Sequence, residues 1–253
     1  MKAGSGLLAP PVFPLTWDAQ PVPLEIQQRI RPPDSSPIRK LGSGYWANTL
    51  LSPPLLRILS VLRDMIFYSI TVQTAPSNLH PGDHDFIRVI NCEVEHQLLS
   101  YVYTDGTAST HPGRSAIDIH PIEAVTRVAA ICFLNHFLIV SPPSSGLGRA
   151  LTKHLVDAIT NCKLSLLLQL PKENFGLFAW ALFLGAQSSE GQPERPWFVE
   201  RLARVAMICD WQNWEQVSRI LSDYFFVPLA QDATWRCIWE EATAGFVIPI
   251  DEE

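Results

Sequence analysis

An all-α fold, an irregular array of about eight to ten helices behind a proline-rich arm, is what this sequence predicts. Three observations predict it. Apolar residues recur at helical spacing through most of the chain after Ser52. Helix-start signals open most of those runs: Ser, Asn or Asp at the cap, and Pro in the first turn where its missing N–H costs nothing. Alternating apolar patterns joined by hairpin dipeptides are missing, and no fixed period marks a helical solenoid.

The elements follow in order. Residues 1–40 form a first unit, the arm, with prolines at 10, 11, 14, 21, 23, 32, 33 and 37. Proline removes donors and holds its predecessor extended, so the arm should be mostly non-helical. Two readings of it stand: docking through Phe13, Leu15 and Trp17, or low-complexity disorder. Residues 41–253 form the helical body. Ser52-Pro53 starts a helix whose Leu55, Leu59, Leu62, Met65 and Ile66 keep helical spacing to about Thr74. A second helix runs from about Asp83 to Tyr103, with Phe86, Ile90, Val94, Leu98 and Tyr101 on one stripe. His120-Pro121 opens a third that ends before Ser141-Pro142; apolar nearly all round, it should be the central buried helix.

Ser144 or Ser145 caps a fourth helix, Leu147 to about Thr160, which leads into the apolar run Leu164–Leu170. Asn174 starts the next, Phe175–Ala186, and a loop over Ser188–Pro193 separates it from a helix over Trp197–Cys209. Asn213-Trp214-Glu215-Gln216 has the spacing of a capping box, and its helix should turn Val217, Ile220, Leu221 and Tyr224 inward. Asp232 is the expected cap of the last helix, with Trp235 and Trp239 stacked one turn apart. Phe246–Ile250 reads as a short extended tail.

Composition narrows the function. A chain of 253 residues with 47% hydrophobic and 17% charged residues is globular overall. Its net charge of −6 lacks the basic balance that binding to free nucleic acid needs. The densest basic spot, Arg29, Arg31, Arg39 and Lys40, is broken by prolines and reads as a solvated linker. Five dispersed cysteines, Cys92, Cys132, Cys162, Cys209 and Cys237, suggest buried thiols in a reducing compartment. The apolar run Val128–Val140 contains Asn135 and His136 and is shorter than the roughly 20 residues of a spanning helix. No membrane association is expected.

Chemical motifs are weak. His80-Pro81-Gly82-Asp83-His84-Asp85 gathers ligand-type side chains, but Pro-Gly keeps the two histidines off a common helix face. A turn followed by an Asp-capped helix explains the same letters. Gly146-Leu147-Gly148 lacks the strand, third glycine and Lys-Ser or Lys-Thr pair of a phosphate loop. His136 and His154 sit among apolar neighbours as core or boundary histidines. No catalytic constellation is visible, so no catalytic, metal or cofactor residues and no cofactor are expected.

Tryptophans mark the last third: Trp180 in Trp180-Ala181-Leu182-Phe183-Leu184-Gly185-Ala186, and Trp197 in Pro196-Trp197-Phe198-Val199-Glu200-Arg201-Leu202. Trp214-Glu215-Gln216-Val217-Ser218-Arg219-Ile220-Leu221 and Trp235-Arg236-Cys237-Ile238-Trp239-Glu240-Glu241 follow. Their plain physical role is core filling. In this order, with Leu15-Thr16-Trp17-Asp18 and Leu51-Ser52-Pro53-Pro54-Leu55-Leu56 upstream, the chain resembles the regulatory domain of fungal binuclear zinc-cluster transcription factors. The resemblance implies a nuclear, non-enzymatic domain in regulation of transcription by RNA polymerase II. It also implies protein partners, by self-association or through transcriptional coregulators, and a small-molecule effector. None of the five cysteines has the close spacing of the zinc cluster. The expectation is therefore a body without its DNA-binding head and without direct sequence-specific DNA binding. Alternatives are a helical scaffold or adaptor and a metal-dependent enzyme using His80, Asp83, His84 and Asp85 with His111 or His120.

Overall fold

The computed structural model describes Leu8 and residues 20–104, 119–139, 142–162 and 173–244, with backbone alone for 101–104 and 173. Among these residues there are ten α-helices and no strand. They are α1 (Leu24–Ile30), α2 (Ser43–Trp46), α3 (Pro53–Thr74), α4 (Asp83–Thr104) and α5 (Pro121–Phe133). α6 (Gly146–Asn161), α7 (Glu173–Ser188), α8 (Arg195–Cys209), α9 (Trp214–Leu221) and α10 (Pro228–Thr243) complete the set. The all-α array expected from apolar spacing is what forms. Phe13, Leu15, Trp17, His111, Leu164–Leu170 and Phe246–Ile250 lie outside the described residues.

Two helices share the centre. α5 is buried nearly all round from Ile122 to Phe133, as its sequence predicts. α7 is equally buried, and it packs against α2, α5, α6, α8, α9 and α10. Its run Ala179–Leu184 has no exposed surface, because apolar side chains occupy every face. α5 continues past Phe133 into a π-helical turn, Leu134–Leu138, where the Ile139 N–H reaches the carbonyl of Leu134 five residues back. The Asn135 side chain donates to the Ile131 carbonyl in that turn.

Several starts form as predicted. The Ser145 hydroxyl caps α6 by accepting the Gly148 N–H at 2.9 Å. Ser52 caps α3, but its bond from the Leu55 N–H is long at 3.5 Å, and its own hydroxyl and N–H both go to the Glu123 carboxylate of α5. The cap thus ties two core helices together.

Other expectations are corrected. The arm is helical over Leu24–Ile30, and Pro37–Lys40 form a 3₁₀ turn. Leu24 to Ile30 hold no proline, so seven residues suffice for a helix that buries Ile26 and Ile30 in the common core beside Val22, and α1 packs on α3. Gln216 accepts from the Gln212 N–H at 3.1 Å instead of closing the box on Asn213, whose own side chain caps Gln216 at 2.9 Å. Tyr224 lies beyond the end of α9. α10 starts at Pro228, not after Asp232: Gln231 reaches back to take the Val227 N–H at 2.7 Å, and Asp232 accepts the Trp214 indole N–H at 3.0 Å. Trp235 stacks on Phe183 of α7 and on Phe226 just before α10, each at 5.2 Å, and not on Trp239.

Candidate functional site

One opening lies where α2, the first turn of α7 and the turns flanking α9 converge. It is a cleft of about 640 Å³. α2 sits over an aromatic floor: Tyr45 contacts Trp180, Tyr224 and Phe225 at ring separations of 5.5, 5.2 and 4.7 Å. Both backbone groups of Phe225 are held by side chains. Trp180 donates its indole N–H to the Phe225 carbonyl at 3.0 Å, and the Phe225 N–H donates to the Tyr45 hydroxyl at 3.4 Å. Burial raises the Tyr45 phenol well above its ordinary range, so this floor stays neutral.

The walls carry the polarity. Asn48 donates to the Asn174 side-chain oxygen at 2.7 Å, which links the α2 side to the start of α7. The Asn48 oxygen accepts the Leu50 N–H at 2.9 Å, so its amide orientation is fixed by two bonds. Asp223 accepts the Ser43 hydroxyl at 3.0 Å, and its carbonyl takes the Gly44 N–H at 2.7 Å. The opposite wall comes from the end of α8. There Asp210 adopts the left-handed region (φ 55°, ψ 44°), which Asp tolerates, and the Trp211 N–H returns to the Ala206 carbonyl. That turn brings the Trp211 ring and Cys209 to the cleft. Two glycines make room for Tyr224. A Cβ at Gly44 would stand 2.8 Å from Tyr224 Cζ, and one at Gly176 would stand 2.8 Å from Tyr224 Cε2. The arrangement offers aromatic faces, one amide pair and one carboxylate, which suits a small neutral or weakly cationic molecule.

The His80–Asp85 segment forms a tie instead of a ligand set. His80, His84 and Asp85 are exposed, and Asp83 is buried. The Asp83 carboxylate turns back to accept the His80 N–H at 2.8 Å and takes the Arg29 guanidinium at 2.6 Å. Burial opposes its ionisation, but those two partners outweigh it and hold the carboxyl below its ordinary value. His120 accepts the Ile122 N–H at 3.2 Å and so caps α5. Among the described residues, no group of three or more His, Cys, Asp or Glu side chains is placed to hold a metal ion. His136 is half-buried within the π turn, where burial lowers its pKa against the pull of Glu190.

The cysteines divide. Cys132 and Cys162 are buried, and burial pushes their thiols up to about 12 and about 11, which leaves them poor nucleophiles. Cys92 and Cys237 are exposed, contrary to the expectation of buried thiols, because each falls on the solvent face of its helix. Among the described residues no helix is long and apolar enough to cross a membrane.

Sequence reasoning singled out none of the cleft's polar residues as functional. Asn48 follows a helix of four residues that no apolar period announces, and Asn174 reads as a helix start. In comparisons with protein-family models, with curated proteins and with solved structures, the chain matches none.

Proposed function

We propose that this chain is a non-enzymatic regulatory domain that acts on transcription by RNA polymerase II through protein contacts and responds to a small effector held in the α2–α7–α9 cleft. The cleft carries the reading: about 640 Å³, the rings of Trp211 and Tyr224 on its lining, and walls from segments far apart in the chain. An occupant that touches Asn48, Asn174 and Trp211 together bridges α2, α7 and the α8–α9 turn. It would stabilise the arrangement it binds, which is how a ligand shifts a population. The ordered tryptophan segments that resemble the fungal zinc-cluster regulators support the transcriptional half of the proposal. Nuclear placement follows from the same resemblance, and the absence of direct DNA binding from cysteines that lack the close spacing of a zinc cluster.

Fusion of the chain to an unrelated DNA-binding domain tests it. Transcription from a reporter carrying that domain's site should change several-fold relative to the DNA-binding domain alone, in either direction. The change should diminish with Asn174→Trp, which fills the cleft. A folded fusion that leaves the reporter at the control level would sink the transcriptional reading and leave a helical scaffold, for which exposed Met207 and Leu229 on α8 and α10 offer apolar contact points.

A further inference from the structure

Among the basic residues of the arm, Arg31 and Lys40 are exposed, while Arg29 and Arg39 are half-buried. Arg31, just after α1, and Arg39, in the 3₁₀ turn, line one cleft of about 230 Å³ together with Arg63 of α3. Guanidinium groups keep their charge at every physiological pH, so three positive charges border one small space. We propose that this cleft between the arm and α3 binds a small phosphorylated molecule, with the arginines receiving its phosphate.

The existing partners leave the arginines available. Arg63 meets Asp64 at 3.4 Å, a poor contact because adjacent residues on a helix do not face each other. Its Nε is buried and has no hydrogen-bond partner. The fork is nonetheless held in place, with the guanidinium 4.9 Å from the Trp46 ring centre and 5.9 Å from that of Phe67. Arg39 donates through one terminal nitrogen to the Pro32 carbonyl at 3.1 Å and through the other meets Asp34, whose side chain is 91% exposed; such a surface ion pair contributes little. Asp64 is the one carboxylate among the lining residues, and burial raises its pKa against the pull of Arg63. The cleft therefore has an excess of positive charge with donors spare.

A phosphate monoester answers these features better than a bare anion. Its oxygens accept bidentate guanidinium bonds. Ile30, Pro32 and Phe67 supply apolar wall for an organic remainder, and the volume gives it room. The site is separate from the α2–α7–α9 cleft and does not depend on a role in transcription.

Thermal melting of the intact chain in chloride buffer, titrated with inorganic phosphate, phenyl phosphate or malonate at constant ionic strength, tests the assignment. Phosphate should raise Tm saturably, phenyl phosphate should do so at lower concentration, and malonate should have a smaller effect. Arg31→Gln and Arg39→Gln, at positions outside the core, should each weaken the apparent Kd for phenyl phosphate about tenfold while leaving the unliganded Tm near that of the parent. Three results would overturn the proposal: no saturable shift with either phosphate, an unchanged response in both variants, or malonate matching phenyl phosphate. Binding to phosphatidate-containing vesicles that phenyl phosphate fails to compete would also overturn it, in favour of a lipid headgroup.

Discussion

Phe198 packs directly on the backbone of Gly185: a Cβ built on that glycine would stand 2.2 Å from Phe198 Cε1. The contact sets how closely α8 approaches α7. Gly185→Ala would gain about 1 kcal/mol of helix propensity. It would also force the ring out of a site where Phe198 is fully buried, and overpacking of that kind costs about 1–3 kcal/mol or more. Net destabilisation is the expected outcome, read as a lower urea midpoint with an unchanged slope. Gly146→Ala is the control, because nothing lies within 4 Å of the added methyl. It should be neutral or slightly stabilising.

The bond from the Trp180 indole to the Phe225 carbonyl, at 3.0 Å, is buried. Trp180→Phe removes the donor and leaves that carbonyl facing apolar rings. The lost bond alone should cost about 1–3 kcal/mol, to which the smaller ring adds a cavity. A urea denaturation series should show a loss larger than that of Trp197→Phe, whose ring is partly exposed and lies against the Arg201 guanidinium at 3.6 Å. Equal losses would mean that the Phe225 contact carries no special weight.

Asp83 joins α1 to α4 through Arg29 at 2.6 Å. Its carboxyl pKa is lower in the folded chain than in the unfolded one. The unfolded state therefore binds the proton more readily, and the stabilisation is present above the ordinary Asp value of about 3.9. It is lost as pH falls through the depressed folded value. Asp83→Asn keeps an acceptor for the His80 N–H but removes the charge. The stability gap between parent and variant should be widest near neutral pH and should close as pH drops below about 4. Urea midpoints measured from pH 7 to pH 3 check this; a gap as wide at pH 3 as at pH 7 would rule the linkage out.

That tie also shows what the sequence could and could not convey. Arg29 reads as part of a basic linker and Asp83 as part of a His/Asp turn, and no local pattern pairs residues 54 positions apart. Apolar period and capping chemistry are local, so α3, α4, α6 and α8 were legible to within a residue or two, whereas α5 ends at Phe133 and gives way to the π turn. Local signals misled at α10: the helix starts at Pro228, so Asp232 lies inside it and takes the Trp214 indole N–H, while Gln231 accepts the Val227 N–H at the helix start. The candidate cleft was illegible as well. Asn48, Asn174 and Trp211 converge only after α2, α7 and α9 pack. α2 itself is a single turn, held by the Gly44–Asp223 bond and by Tyr45 in the aromatic floor, and neither leaves a periodic trace.

Tyr224 is gripped from two sides, and this makes the cleft's shape testable. An added methyl at Gly176 would stand 2.8 Å from Tyr224 Cε2 and 2.9 Å from Ile220 Cγ2. The backbone of Gly44 lies against another edge of the same ring, which limits its retreat toward α2. Gly176→Ala should therefore be destabilising by about 1 kcal/mol or more despite its better helix propensity. Replacing Tyr224 with Leu removes the ring that the methyl strikes. The double variant Gly176→Ala, Tyr224→Leu should lose less than the sum of the two single changes, because their costs come from one contact. Additive losses in a thermal or urea double-mutant cycle would show that the methyl is accommodated elsewhere and that Tyr224 is not the fixed wall of the cleft.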